Sequence, residues 1–109
     1  MKNGLIELSN GTKYWFKEDR YHREDGPAIE HSNGFKAWFK EGKYHREDGP
    51  AIEYSDGTKE WYRENKLHRE DGPAIECPHA FKVYYYNGEM VECNSTEEFI
   101  RLVSLKVFW

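Results

Sequence analysis

Hydrophobic positions in this chain come in short bursts, and the bursts recur every 23 residues. One column reads Ile6, Ile29, Ile52, Ile75, and another Trp15, Trp38, Trp61, Tyr84. The next position reads Phe16, Phe39, Tyr62, Tyr85, and a further one Tyr21, Tyr44, Leu67, Met90. Between the bursts the chain is polar and rich in Gly, Asp and Asn. The nonapeptide His-Arg-Glu-Asp-Gly-Pro-Ala-Ile-Glu is identical at 22–30, 45–53 and 68–76. A fixed period of this length marks a repeat array. The pattern extends to four units, 5–27, 28–50, 51–73 and 74–93.

Each unit reads as short strands joined by tight turns. Ala28-Ile29-Glu30-His31 is bounded by Gly-Pro before and Ser32-Asn33-Gly34 after. Asn-Gly and Asp-Gly pairs are strong hairpin signals, because their central positions take positive φ. Lys36 to Lys40 is aromatic-rich, as strands are. A second turn falls at the column Asp19, Gly42, Asn65, Gly88, all residue types that tolerate the left-handed region. With Asn33-Gly34 as a two-residue loop, Ile29 is expected opposite Trp38 and Ala28 opposite Phe39, so Ile and Trp share one face. A three-residue loop reverses those faces. With Glu41-Gly42 as the second loop, Phe39 is expected opposite Tyr44. The variable column Tyr14, Ala37, Glu60, Val83 reads as a place where the repeat is indifferent.

The C-terminal segment 94–109 breaks the pattern. Ser95 followed by Glu98 is a capping-box signature. Phe99, Ile100, Leu102, Val103 and Val107 then follow at helical spacing, which predicts a helix over about 96–106. A repeat array needs its end covered, and this helix is the cap. The expected fold is therefore mainly β. It is an antiparallel meander of about four 23-residue β-hairpin repeats over 5–93, capped by one C-terminal α-helix, all in a single domain 1–109.

Composition refines this picture. Leu, Ile, Val and Phe together make only 20 of 109 residues, a level seen in disordered chains. Aromatics reach 17%, with 4 Trp and 8 Tyr, which disordered chains lack. Rings bury large areas, so an aromatic repeat needs few aliphatics. The balance of 16 Lys+Arg against 20 Asp+Glu argues against general nucleic-acid binding. Cys77 and Cys93 are too few for a disulfide framework and read as free thiols. No apolar run spans a bilayer and the first residues lack a secretory core, so a cytoplasmic location is expected.

The chemistry-bearing residues are also repeated. His22, His45 and His68 stand beside Arg23, Arg46 and Arg69, each followed by Glu and Asp. An active site is normally made once, so these residues read as parts of the unit's own bonding. The histidines are expected to reach a neighbouring unit, and Asp25, Asp48 and Asp71 to bond nearby backbone amides in turns. Metal is not expected, since one unit separates the histidines by two or three strands of about 4.8 Å each. No cofactor is implied, and no single-copy set of nucleophile, base and oxyanion donors points to an enzyme. Trp15, Trp38 and Trp61, with Lys36, Lys59, Arg46 and Arg69, are the candidate partner-binding residues, because aromatics beside cations suit protein interfaces. The Lys column also suits protection of a β surface. An outer strand near Leu5–Leu8 can pair with a second copy.

The period and the order aromatic, Gly-Lys, His, Asp-Gly resemble MORN repeats, through Phe39, Gly42-Lys43, His45 and Asp56-Gly57 and their equivalents over about 5–90. The variant most similar is that of bacterial antitoxin-type and phage proteins. Arg46-Glu47-Asp48 stands here between His45 and Gly49, and Cys77-Pro78-His79-Ala80 replaces the fourth Gly turn. The resemblance implies a twisted array of β-hairpins that makes contacts and carries no catalytic residues. The function expected from it is a protein–protein interaction module, such as a phage-type inhibitor of a host defence or toxin protein in the host cytoplasm. The alternative is a nucleotide or small-ligand sponge built on the Arg and aromatic rows. The acidic balance argues against a membrane partner.

Overall fold

The computed structural model describes residues 2–105, so Met1 and the last four residues, with Val107, Phe108 and Trp109, lie outside it. Strands are short: β1 (Gly4–Glu7), β2 (Lys13–Lys17) and β3 (Arg20–Tyr21) form the first unit. The second holds β4 (Ile29–Glu30), β5 (Lys36–Ala37), β6 (Phe39–Lys40) and β7 (Lys43–Tyr44). The third holds β8 (Ile52–Glu53), β9 (Lys59–Glu60), β10 (Tyr62–Arg63) and β11 (Lys66–Leu67). The fourth holds β12 (Ile75–Glu76), β13 (Lys82–Val83), β14 (Tyr85–Tyr86) and β15 (Glu89–Met90), and α1 (Thr96–Leu105) follows.

The main sheet is an antiparallel meander in the order β1-β2-β4-β5-β8-β9-β12-β13, with β3 also pairing β2. The pairs β6-β7, β10-β11 and β14-β15 form ribbons beside it. Neighbouring ribbons are joined by backbone bonds such as Gly42 N–H to Tyr21 O, 3.0 Å, and Asn65 N–H to Tyr44 O, 2.9 Å. The radius of gyration is 15.6 Å, above the roughly 13 Å of a compact chain this long. The molecule is a slab of 47 × 30 × 17 Å, as stacking along one direction requires.

The second turn follows the expected register. Phe39 faces Tyr44 and Lys40 faces Lys43, leaving Glu41-Gly42 as a two-residue loop. Both loop residues have positive φ, 52° and 81°, the mirror-image turn that matches strand twist. The first turn differs. Ile29 faces Ala37 and Glu30 faces Lys36, so Ser32-Asn33-Gly34 is a three-residue loop. The Asn33 Oδ1 accepts the Phe35 amide at 3.0 Å, which closes the turn one residue later than a two-residue loop. Ile29 therefore does not face Trp38. The Trp38 amide instead donates to the Ala51 carbonyl of the next unit at 2.7 Å, as Trp15 does to Ala28 at 2.8 Å and Trp61 to Ala74 at 2.7 Å.

The Ala28 amide donates to the carbonyl of Ala37, the residue that Ile29 faces. Two residues stand against one, a bulge that recurs at Ala51 and Ala74. The variable column is not indifferent either. Tyr14, Ala37 and Glu60 each stand between two isoleucines in the ladder, and Val83 opposite Ile75. Ala37 is fully buried there. Glu60 is accommodated because the Tyr62 hydroxyl donates to its Oε1 at 3.2 Å. Burial, followed by the charge of Glu60, pushes the Tyr62 hydroxyl pKa up to about 12.

The buried cluster is Ala28, Ala37, Phe39 and Ile52, with Trp15, Tyr21, Ile29, Phe35, Tyr44 and Tyr62 packed on it. Rings run from unit to unit: Phe16 to Tyr21 at 5.0 Å, Tyr21 to Phe39 at 5.1 Å, Phe39 to Tyr44 at 4.5 Å, Tyr44 to Tyr62 at 5.0 Å. Offset rings at these spacings add to plain area burial. The helix has the expected N-terminus. The Glu98 amide donates to Ser95 Oγ at 3.1 Å, while the Glu98 carboxylate reaches back to the Asn94 amide at 2.8 Å. Phe99 is fully buried, 5.0 Å from the Tyr84 ring, and Thr96 and Tyr84 share a hydroxyl bond of 2.8 Å.

Candidate functional site

The identical nonapeptide has a structural use for each of its residues. Take the copy at 45–53. The Arg46 guanidinium carbon lies 3.8 Å from the centre of the Trp38 ring, and Arg23 and Arg69 lie 3.7 and 3.8 Å from Trp15 and Trp61. From there Arg46 Nη1 donates to the Pro50 carbonyl at 3.0 Å and to Glu53 Oε2 at 3.2 Å, and Nε to Asp48 Oδ1 at 3.2 Å. The same fork recurs at Arg23 and Arg69. The aspartates thus accept from arginine, where turn bonding to backbone amides was expected. Gly49 makes room for the fork: a Cβ placed there would stand 2.8 Å from the Arg46 guanidinium carbon. Ala51 and Ile52 are buried beneath.

The histidine holds the next unit. His45 Nδ1 accepts the Glu64 amide at 3.1 Å, His22 Nδ1 the Glu41 amide at 2.9 Å, and His68 Nδ1 the Asn87 amide at 2.9 Å. Those amides belong to the left-handed turn residues, which have no ladder partner. Because Nδ1 accepts, the proton sits on Nε2, which faces Glu24, Glu47 or Glu70 at 2.5, 3.4 and 3.3 Å. Burial pulls the His68 pKa below its ordinary value. The hydrogen bond from His22 holds the Glu24 carboxyl below the usual range.

Between successive nonapeptide loops lie two equivalent grooves. One of about 660 Å³ is walled by Arg23 to Pro27 on one side and His45 to Asp48 on the other, with Trp38 and Lys40 at its floor and edge. The second, about 520 Å³, repeats it one unit on, with Trp61 and Arg63. Trp38, Trp61, Arg46 and Arg69, named from the sequence, all line these grooves. Their cation and ring faces are turned to each other. Lys36 and Lys59 are exposed elsewhere, in a ladder that sets Lys36 against Glu30 and Glu53 and Lys59 against Glu53 and Glu76. Trp15 lies under Arg23 in the first unit.

The groups that project from the nonapeptide loops themselves are carboxylates, with Lys40 and Arg63 exposed across the grooves from them. Asp25, Asp48 and Asp71 are 87, 91 and 81% exposed, and Glu24, Glu47 and Glu70 are exposed beside them. Sequence reasoning missed this acidic row; the signal was the Glu-Asp pair that every nonapeptide carries. Among the described residues no group of His, Cys, Asp and Glu is arranged to hold a metal, and no helix is long and apolar enough to cross a membrane. Cys77 and Cys93 are unpaired thiols. Comparison with protein-family models, with curated proteins and with solved structures finds no match.

Proposed function

We propose that this chain is a non-catalytic protein–protein interaction module whose contact face is the grooved side of the array. The observation that carries the reading is the row of projecting Glu-Asp pairs on the groove rims, one pair in each of the first three units. The residues that could do chemistry are held in scaffold contacts: each Arg by its Trp, Glu and Pro carbonyl, each His by the next unit's amide. Two strands per unit space the pairs by about 10 Å. A partner with basic side chains at that pitch fits, such as one helix face with residues seven apart, about 10.5 Å. The MORN-like pattern extends the reading to an inhibitor of a host defence or toxin protein.

The test is affinity purification with the full chain against a variant carrying Asp25→Asn, Asp48→Asn and Asp71→Asn. A partner retained by the parent, released by salt and lost by the variant supports the reading. A partner held equally by both, or none at all, overturns it. The nucleotide-sponge reading meets competition from the carboxylates already on each guanidinium. Calorimetric titration with linear and cyclic nucleotides decides between the two, and a saturable heat would favour the sponge.

A further inference from the structure

We infer that the joint between the third and fourth units is an acid-sensitive hinge: a proton on His68 frees the ribbon β14-β15 while the other ribbons stay joined. Each joint rests on an imidazole whose Nδ1 accepts a turn amide of the next ribbon. A second proton on the ring lands on Nδ1 and sets a donor against a donor. That bond is then lost, and the joint survives only where a nearby carboxylate accepts the new N–H. In the second joint Glu64 is in place, with Oε1 3.7 Å from His45 Nδ1. The first joint has Glu41 at the same turn position, whereas the third has Asn87, which carries no charge.

The surroundings of His68 widen the difference. Its side chain is 3% exposed, against 12% for His45 and 7% for His22, so a charge there is taken furthest from water. From β10, Arg63 brings a like charge, and it shares Glu70, the carboxylate facing Nε2, at 3.3 Å. From β14 comes the Tyr86 ring, 4.6 Å from the imidazole. Burial pulls the His68 pKa down, so the bond to Asn87 is present above that lowered value and is lost as pH falls through it. Besides this bond, the Gly88 amide on the Leu67 carbonyl, 2.8 Å, and the Arg69 amide on the Tyr85 carbonyl, 3.3 Å, hold the ribbon to the third unit. The main sheet continues past the joint through β9 and β12, so the ribbon can leave while the array stays folded. His68 and Glu70 also wall the second groove, which places the hinge on the grooved face.

The experiment is amide hydrogen exchange by NMR on the full chain from about pH 7.5 to about pH 4.5, with the His68 ring titration followed alongside. Each exchange rate is divided by its unfolded-chain value at the same pH. Equivalent amides report the three joints: Gly42 on the Tyr21 carbonyl, Asn65 on Tyr44 and Gly88 on Leu67. Gly88 should lose protection by about tenfold or more as His68 titrates, while Gly42 and Asn65 change by less than about threefold. Asn87→Glu supplies the missing carboxylate and should keep Gly88 protected; the turn accepts it, because Glu41 and Glu64 hold φ of 52° and 51° there. His68→Gln, whose side-chain oxygen accepts without titrating, should do the same. A His68 ring that stays neutral throughout, a Gly88 amide that stays protected while the ring charges, or equal loss at all three joints overturns the inference. So does the same loss at Gly88 in folded Asn87→Glu.

Discussion

Replacing Arg46 by alanine should remove about 3 kcal/mol of stability, the sum of three contacts that the alanine lacks. The guanidinium stacked 3.8 Å from Trp38 contributes about 1 kcal/mol at a half-buried site. Its bond to the Pro50 carbonyl at 3.0 Å is charge-assisted and contributes about 1.5 kcal/mol. The pair with Glu53 at 3.2 Å, partly exposed, adds about 0.5 kcal/mol. The Asp48 pair adds nothing measurable, since Asp48 is 91% exposed. The assay is urea unfolding followed by tryptophan fluorescence, with Arg46→Met alongside. Methionine keeps an apolar stem over the ring but carries no charge and no donors, so it should recover under half of the loss. In thermal melts, the alanine variant should fall by roughly 10–15 °C. If Arg46→Met is as stable as the parent, the clamp is packing alone and the reasoning fails. An Arg46→Ala loss below about 1 kcal/mol would refute it outright.

The other predictions concern the turns, the inter-unit bond and the cap. Glu41 sits at φ 52° in a mirror-image turn, where the fourth unit has Asn87 at φ 49°; Glu41→Asn should therefore raise stability by about 0.5–1 kcal/mol, and a lower melting temperature would contradict this. Burial depresses the His68 pKa, so its contribution is fully present above the unfolded value near 6.5 and is lost as pH falls through the lower folded value. His68→Gln should flatten that part of the stability–pH curve, and an unchanged slope between parent and variant would count against the assignment. Phe99→Ala empties the fully buried site against Tyr84 and should cost about 3–5 kcal/mol by urea unfolding. A loss under about 1 kcal/mol would mean that α1 is not closing the array.

The grooved face gains its character from how completely the nonapeptide is engaged. Arg and Trp are the usual interface anchors, and from sequence they are the natural candidates. In the folded chain each Arg lies over its Trp and is bonded to a glutamate seven residues on, in the next strand. On the proposed reading, contact with a partner falls to the carboxylates and to the groove walls between loops. The same engagement explains the identity of His, Arg, Gly, Pro, Ala, Ile and the final Glu in three units, since a change at any of these disturbs a contact made inside the array.

The period, the number of units, the β character, the left-handed turn column and the helix with its Ser95 and Glu98 cap are all legible in the residues alone. These are local matters. A φ above zero, a capping oxygen and an alternating strand are settled within a few residues, and four copies repeat each signal. The residues also mark His45 as a link between units. The register of the first turn emerges only in the folded chain, because one Asn33 oxygen on the Phe35 amide moves the pairing by a residue and exchanges the faces. Only there does Ala37 lie in the core and Arg46 on Trp38. Those contacts depend on the bulge at the alanine and on the neighbouring unit. No residue's own preference encodes where the next repeat's carbonyl will lie.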